Sequence, residues 1–441
     1  MKKRWHYEGM ICFMLCAATL AFASQGLAGI TLLSPADGDT VAQLWPEQKE
    51  FFATPLAQRI SAARTDAESA GRTSRRMKRK RSAMPVRLEW SGGAAQYRVT
   101  VAREPDGKVF FSANVTSSFV DVSGRLEIAR EWKWTVSDGE SEAVGRFSTE
   151  DCAPRILTWP GVSNVRDIGG RKGLDGRRIK QGLVFRSGGL NNNAKVEYYT
   201  YDEILAMHEA GTLAVSGAGD SRAIGREYEA RLSRGKGIDR NFLRLIKAPP
   251  NAPGLPKLTD ERRACILENF GIRVDLDFRG DWECFGMTGS PLGDDVAWRH
   301  YQWRSAYGGF VTPMGRASAA AAFSLFLDKK NYPIVFHCIG GTDRTGTFAY
   351  MLCGLLGVAE EELILDYDTS FMGGQGPDRR HRGWQESLTK AARELPGDTL
   401  AEKFKRYFVS LGFSDDEVER VREFLLEPKR CAKRSAAGRT E

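Results

Sequence analysis

The chain has 441 residues, of which 42% are hydrophobic, 27% charged and 10% aromatic, with 46 Gly and 17 Pro. At about 150 residues per domain this is material for two or three folded domains, and it excludes a small peptide, wholesale disorder and collagen-like repeats. The formal net charge of +8 is local: Arg72 to Arg81 (RTSRRMKRKR) carries seven positive charges and no negative one. Without interleaved aromatics such a block reads as a solvated loop, and no nucleic-acid partner is expected.

At the N-terminus Lys2, Lys3 and Arg4 precede an apolar run from Met10 to Ala23, followed by Ser24, Gln25 and Gly26. Charged, apolar and small segments in that order predict a secretory signal peptide over residues 1–29. The run is shorter than the roughly 20 residues that span a bilayer, so the expectation is an exported protein, periplasmic or extracellular, without stable membrane insertion. Beyond the leader stand Cys152, Cys265, Cys284, Cys338, Cys353 and Cys431. They are too sparse to demand disulfides and show no zinc-type spacing, so neither a metal nor another cofactor is expected.

Residues 30–150 alternate apolar and polar positions, as in Val86-Arg87-Leu88-Glu89-Trp90, Tyr97-Arg98-Val99-Thr100-Val101 and Trp132-Lys133-Trp134-Thr135-Val136. Period two between Gly, Asp and Asn turns predicts a small antiparallel sandwich, with the basic insert at 59–82. The order LEW, YRVTV, EWKWTV, GRFST resembles a fibronectin type III-like domain, which implies an accessory role.

From Thr158 apolar strands alternate with helical stretches, the pattern of an α/β domain. Strands are predicted at 182–186, 272–278 and 333–338. Helices are predicted at 259–269, 315–327 and 346–356, and another after Ser414, an N-cap followed by Asp415-Asp416-Glu417. The stretch 191–256 reads as an insertion and 428–441 as a basic tail.

Residues 333–357 read PIVFHCIGGTDRTGTFAYMLCGLLG. A cysteine six positions before an arginine means little alone. Here, however, Cys338 ends an apolar strand, Gly340 and Gly341 permit a tight turn, and Thr345-Gly346 opens an apolar helix. A loop wrapped between a strand end and a helix N-terminus turns its amide N–H groups inward and forms an anion nest. The same field favours a thiolate at Cys338, and Arg344 supplies planar, bidentate donors to phosphoryl oxygens.

The run His337-Cys338-Ile339-Gly340-Gly341-Thr342-Asp343-Arg344-Thr345-Gly346 resembles the protein tyrosine phosphatase signature. Asn164-Val165-Arg166-Asp167-Ile168-Gly169-Gly170, Val184-Phe185-Arg186-Ser187-Gly188, the segment 271–279 with Glu283, and Asp366-Tyr367 are similar in order to bacterial tyrosine/phosphoinositide phosphatases. The resemblance implies a phosphatase-like α/β domain over 158–427, with a central, mostly parallel sheet flanked by helices and preceded by the small all-β sandwich.

It also implies roles. Cys338 would be the nucleophile, giving a cysteinyl-phosphate, and Arg344 the phosphoryl clamp. Asp343 would be the general acid, with Asp277 as the alternative. Ile339, Gly340, Gly341, Thr342, Thr345, Arg186 and Arg279 would bind the phosphate, Thr345 also assisting thiolate departure. Arg166 and Arg186 either line the mouth or tie strand ends by pairing with Asp167 or Asp277. His337 is read as an orienter of the loop and Cys353 as core; Cys284, near the end of the 272–278 strand, could form a protective disulfide with Cys338, though the main expectation does not pair them. The implied substrate is a phosphorylated protein or a small phosphate monoester. Alternatives are an inositol-phosphate or phosphoinositide phosphatase, or a non-catalytic phosphate-binding surface protein. Thr342 stands where phosphoinositide-active members carry Lys.

Overall fold

The computed structural model describes residues 29–55, 82–191, 214–215, 246–247 and 258–429, except 281–282, 285–286, 288, 304–305 and 373–378. The leader, nearly all of the basic insert, most of the insertion at 191–256 and most of the tail lie outside the described residues.

In the N-terminal part the period-two pattern sets the strands: Val86, Leu88 and Trp90 are buried while their neighbours are exposed. Three strands form one sheet: β1 (Thr31–Ser34), β3 (Val86–Ser91) and β6 (Phe119–Val122), with β3 central. Five form the other, in the order β2 (Asp39–Val41), β8 (Glu142–Thr149), β7 (Glu131–Ser137), β4 (Tyr97–Glu104), β5 (Val109–Val115). Leu88 and Trp90 from one sheet and Val99, Val101, Trp132 and Trp134 from the other share one core. Truncating one of those tryptophans to Ala would cost about 3–5 kcal/mol. One element departs from the all-strand expectation, the helix α1 (Pro46–Ala53). Pro46 opens it without losing a needed donor, and the Gln48 side chain accepts from the Trp45 N–H at 2.8 Å.

The C-terminal part is α/β. Its six-stranded sheet runs β15 (Ala297–His300), β14 (Val274–Asp277), β16 (Ile334–His337), β11 (Val184–Ser187), β10 (Arg166–Asp167), β9 (Arg155–Ile156). The first four run parallel, and β10 is antiparallel to both of its neighbours, β11 and β9. A separate pair, β12 (Ala214–Val215) and β13 (Ile246–Lys247), is antiparallel. Around the large sheet lie α2 (Asp260–Phe270), α3 (Pro313–Ser324), α4 (Asp343–Leu355), α5 (Glu360–Thr369), α6 (Arg379–Arg393), α7 (Leu400–Ser410) and α8 (Asp415–Leu425). Ser414 caps α8 as expected, its side chain accepting from the Glu417 N–H at 3.2 Å.

Register places the site. His337 pairs with Asp277 on one side and with Ser187 on the other, so three parallel strands end together at their carboxyl edge. Ligands of open α/β sheets bind outside that edge. The chain leaves β16 there and enters α4, which is buried from Thr345 to Leu355 and therefore runs through the interior rather than over it. The helix starts at Asp343, three residues before the predicted 346, which brings Asp343 and Arg344 into its first turn.

A hydrogen-bonded seam joins the two parts. The Ile128 N–H donates to Gln181 Oε1 and Gln181 Nε2 donates back to Ile128 O, both at 2.9 Å. Arg155 reaches Leu126 O at 3.0 Å, Arg125 O at 2.8 Å and Asp167 Oδ2 at 2.7 Å.

Candidate active site

The loop from Cys338 to Arg344 is shaped by what holds its carbonyls. Ile339 O accepts from the Gly189 N–H at 2.8 Å, Gly340 O from Asn164 Nδ2 at 2.9 Å, and Gly341 O from Arg186 at 2.6 Å. A trans peptide sets its N–H opposite its carbonyl, so three outward carbonyls turn the amides of Gly340, Gly341 and Thr342 to the other side. Among the described residues none of those three amides donates a hydrogen bond. Together with the positive end of α4 they form a cradle for an anion. Gly341 makes the turn possible: its φ is +68°, and a Cβ there would lie 2.4 Å from Ser187 O.

Cys338, which opens the loop, is 2% exposed. Arg344 is partly exposed; Cys338, Glu283 and Asp343 all favour its charged form electrostatically. Burial is the largest single influence and works against that charge, but the Glu283 hydrogen bonds and the pull of Cys338, Glu283 and Asp343 together outweigh it and raise the pKa. Glu283 grips the guanidinium with both oxygens, Oε1 at 3.0 Å from one nitrogen and Oε2 against the other. Asp343 accepts from the Tyr307 hydroxyl. Thr345 is fully buried, and its hydroxyl has no hydrogen-bond partner among the described residues.

Beneath the loop His337 donates from Nε2 to Asp275 Oδ1 at 2.8 Å and from Nδ1 to Cys338 O at 3.2 Å. Burial would lower its pKa, but Asp277 and Asp275 outweigh that and raise it. Two donating nitrogens describe an imidazolium.

Two expected phosphate ligands are buried and engaged by the protein's own groups. Arg279 is 0% exposed, bound to Asp277 through several contacts, the shortest at 2.7 Å, and to Asn191 Oδ1 at 2.8 Å. Arg186 is also 0% exposed. Arg279 ties its own strand end together, and Arg186 bonds Gly341 O of the loop and the Asp366 carboxylate. The partners foreseen for Arg166 and Arg186 are corrected as well. Asp167 is taken by Arg155 and by the amides of Gly169 and Gly182, and Asp277 by Arg279. Arg166, Arg171 and Arg186 converge instead on Asp366 of α5, with contacts of 3.1 Å from Arg166 and 2.6 Å from Arg171. Burial alone would raise the Asp366 pKa, yet the three guanidinium groups hold it far below the carboxylate range. Arg166, fully buried beside two like charges, falls to about 9.

Asp277, the alternative proton donor, is fully buried. Burial would raise its pKa, but His337 and Arg279 outweigh it and hold the carboxyl below the usual range, with both of its oxygens bonded to Arg279. Cys284 and Cys338 are both free thiols rather than a disulfide. Cys353 is packed in the core, and burial pushes its thiol up to about 12.

The roles of Tyr307 and Glu283 at the loop were not visible in the sequence. Among the described residues no group of three or more His, Cys, Asp or Glu is arranged to hold a metal ion, and no helix is long and apolar enough to cross a membrane.

Residues 157–203 and 252–427 match the model of a family described as the tyrosine phosphatase family. The match passes over 204–251, within the predicted insertion. A Cupriavidus necator protein provisionally named a tyrosine-protein phosphatase is 26% identical over 217 residues, covering 48% of this chain. The chain spans 61% of that relative's length.

Proposed function

The chain belongs to the tyrosine phosphatase family, and from that premise we propose that it is a cysteine-dependent phosphomonoester hydrolase acting on phosphotyrosine-type substrates. The observation that carries this reading is the cradle: three amides of the loop that follows Cys338, turned away from their bonded carbonyls, with a guanidinium whose charge Cys338 and Glu283 favour. A phosphate dianion bound there meets backbone dipoles and Arg344, which also stabilise the charge that develops in the transition state. The Cys338 thiolate attacks phosphorus, the S–P bond forms, and the ester P–O bond breaks as Asp343 gives its proton to the leaving oxygen. Water then attacks the cysteinyl-phosphate. Its proton passes to Asp343, the S–P bond breaks, and phosphate and thiolate are released.

The burial of Cys338, 2% exposed, favours a phosphoryl group carried on an extended stem, such as an aryl ester. We further propose that residues 30–150 are a fibronectin type III-like accessory domain, a reading supported by two sheets around one core, and that the leader directs export. Cys338→Ser tests the central claim. It should abolish hydrolysis of 4-nitrophenyl phosphate while leaving the melting curve unchanged, and full activity in that variant would overturn the assignment.

A further inference from the structure

Tyr307 is tied to the first turn of α4 at both of its ends. Its hydroxyl donates to Asp343 Oδ1. Its backbone N–H donates to Thr347 Oγ1 at 2.7 Å, and the Thr347 hydroxyl donates in turn to Asp343 O at 2.9 Å. Main chain and side chain of Asp343 are therefore both pinned to one residue. The Tyr367 hydroxyl lies 3.1 Å from that of Tyr307, placed to donate to it while it donates to the carboxylate. Burial first, then Tyr367 and Asp343, raise the Tyr307 pKa, so the phenol keeps its proton.

The backbone is shaped to make this contact. Tyr307 has φ +59°, a left-handed conformation that costs a bulky residue about 1–2 kcal/mol and that persists only where surroundings impose it. The surroundings are specific. The Trp384 ring of α6 packs 5.4 Å from the Tyr307 ring at an interplanar angle of 30°, and a Cβ on the adjacent Gly308 would fall 2.7 Å from Ser387 O on the same helix. A strained turn wedged against α6 and aimed at one carboxylate oxygen leaves the other oxygen to carry the transferable proton.

We propose that Tyr307 is a positioning residue for the general acid: it fixes the rotamer of Asp343 so that its second oxygen faces the leaving group, with Tyr367 orienting the Tyr307 hydroxyl. The inference rests on the phosphatase reading above and adds a residue to it.

The test is the dependence of rate on the leaving group. General-acid catalysis contributes about 10²- to 10⁴-fold where the leaving group needs a proton and little where it does not. On 4-nitrophenyl phosphate, Tyr307→Phe is expected to lose about 3-fold in kcat, and on phenyl phosphate on the order of 30-fold. Competitive inhibition by inorganic phosphate should be unchanged, because the cradle is untouched. Asp343→Asn should show the same pattern more strongly, and the double variant should be no slower than Asp343→Asn alone. Equal losses on both esters, or multiplicative losses in the double variant, would overturn the proposal, as would an Asp343→Asn variant insensitive to the leaving group. Phe keeps the ring that packs on Trp384. Should that variant nevertheless unfold, Tyr367→Phe must show the same ester selectivity at smaller amplitude, and its absence counts against the role. Cys338→Ser in the same assay separates the two claims: retained activity there sinks the phosphatase reading itself, whereas an inactive Cys338→Ser beside an unaffected Tyr307→Phe sinks only the positioning role.

Discussion

Fully buried Arg186 links Gly341 to Asp366: one guanidinium nitrogen donates to the Gly341 carbonyl at 2.6 Å and the other to the Asp366 carboxylate. The shape of the loop is thus coupled to α5. Asp366→Asn would leave Arg166, Arg171 and Arg186 without their shared counter-charge, and removing one partner of a buried ion pair costs about 3–5 kcal/mol. Urea denaturation should show a loss of that order, with weaker inhibition by inorganic phosphate. A change within about 1 kcal/mol would mean that the three arginines find other acceptors.

The two loop glycines should respond differently to the same substitution. A Cβ on Gly341 meets Ser187 O at 2.4 Å at φ +68°, whereas on Gly340 it meets only Thr342 Oγ1 at 3.7 Å. Gly341→Ala is expected to lower kcat/KM by about 100-fold or more through a displaced oxyanion donor. Gly340→Ala should stay within about 5-fold, since a contact that loose costs a fraction of the 1.4 kcal/mol that a tenfold change represents. Comparable losses in the two variants would refute the geometry.

Stability should depend on pH through His337. Its folded pKa is raised above the ordinary value of 6.5 because Asp277 and Asp275 outweigh burial. The contribution is therefore complete below that value and fades as pH rises through the folded pKa. The Tm gap between the parent chain and His337→Gln should be widest at acidic pH and narrow toward alkaline pH. A gap that widens with rising pH would mean that the imidazole is neutral in the folded protein.

The Cys338–Arg344 loop was legible because its residues are contiguous: strand, Cys338, two glycines, Arg344 and helix follow one another without a break, and the strands predicted at 182–186, 272–278 and 333–338 overlap β11, β14 and β16. Partner assignments were not. The sequence leaves Arg166 and Arg186 either at the mouth or paired with Asp167 or Asp277, but Asp167 is consumed by backbone amides and Arg155, and the carboxylate that arrives in space, Asp366, lies 200 and 180 residues away. Tyr307 was hidden for the same reason, 36 residues from Asp343 in a conformation that side-chain-bearing residues seldom adopt. Periodicity also said nothing of α1, which is short and has one buried residue, Gln48.

The seam between the two parts bears on how the chain can be divided. Two of the three acceptors of Arg155 are main-chain carbonyls of the strand-rich half, Leu126 O and Arg125 O, and the third is Asp167 beside Arg166. A transplant beginning at Arg155 onto a different carrier would strip that guanidinium of most of its anchorage next to the strand that carries Arg166. Recombination that shuffles modules would have to carry both halves as a single heritable cassette.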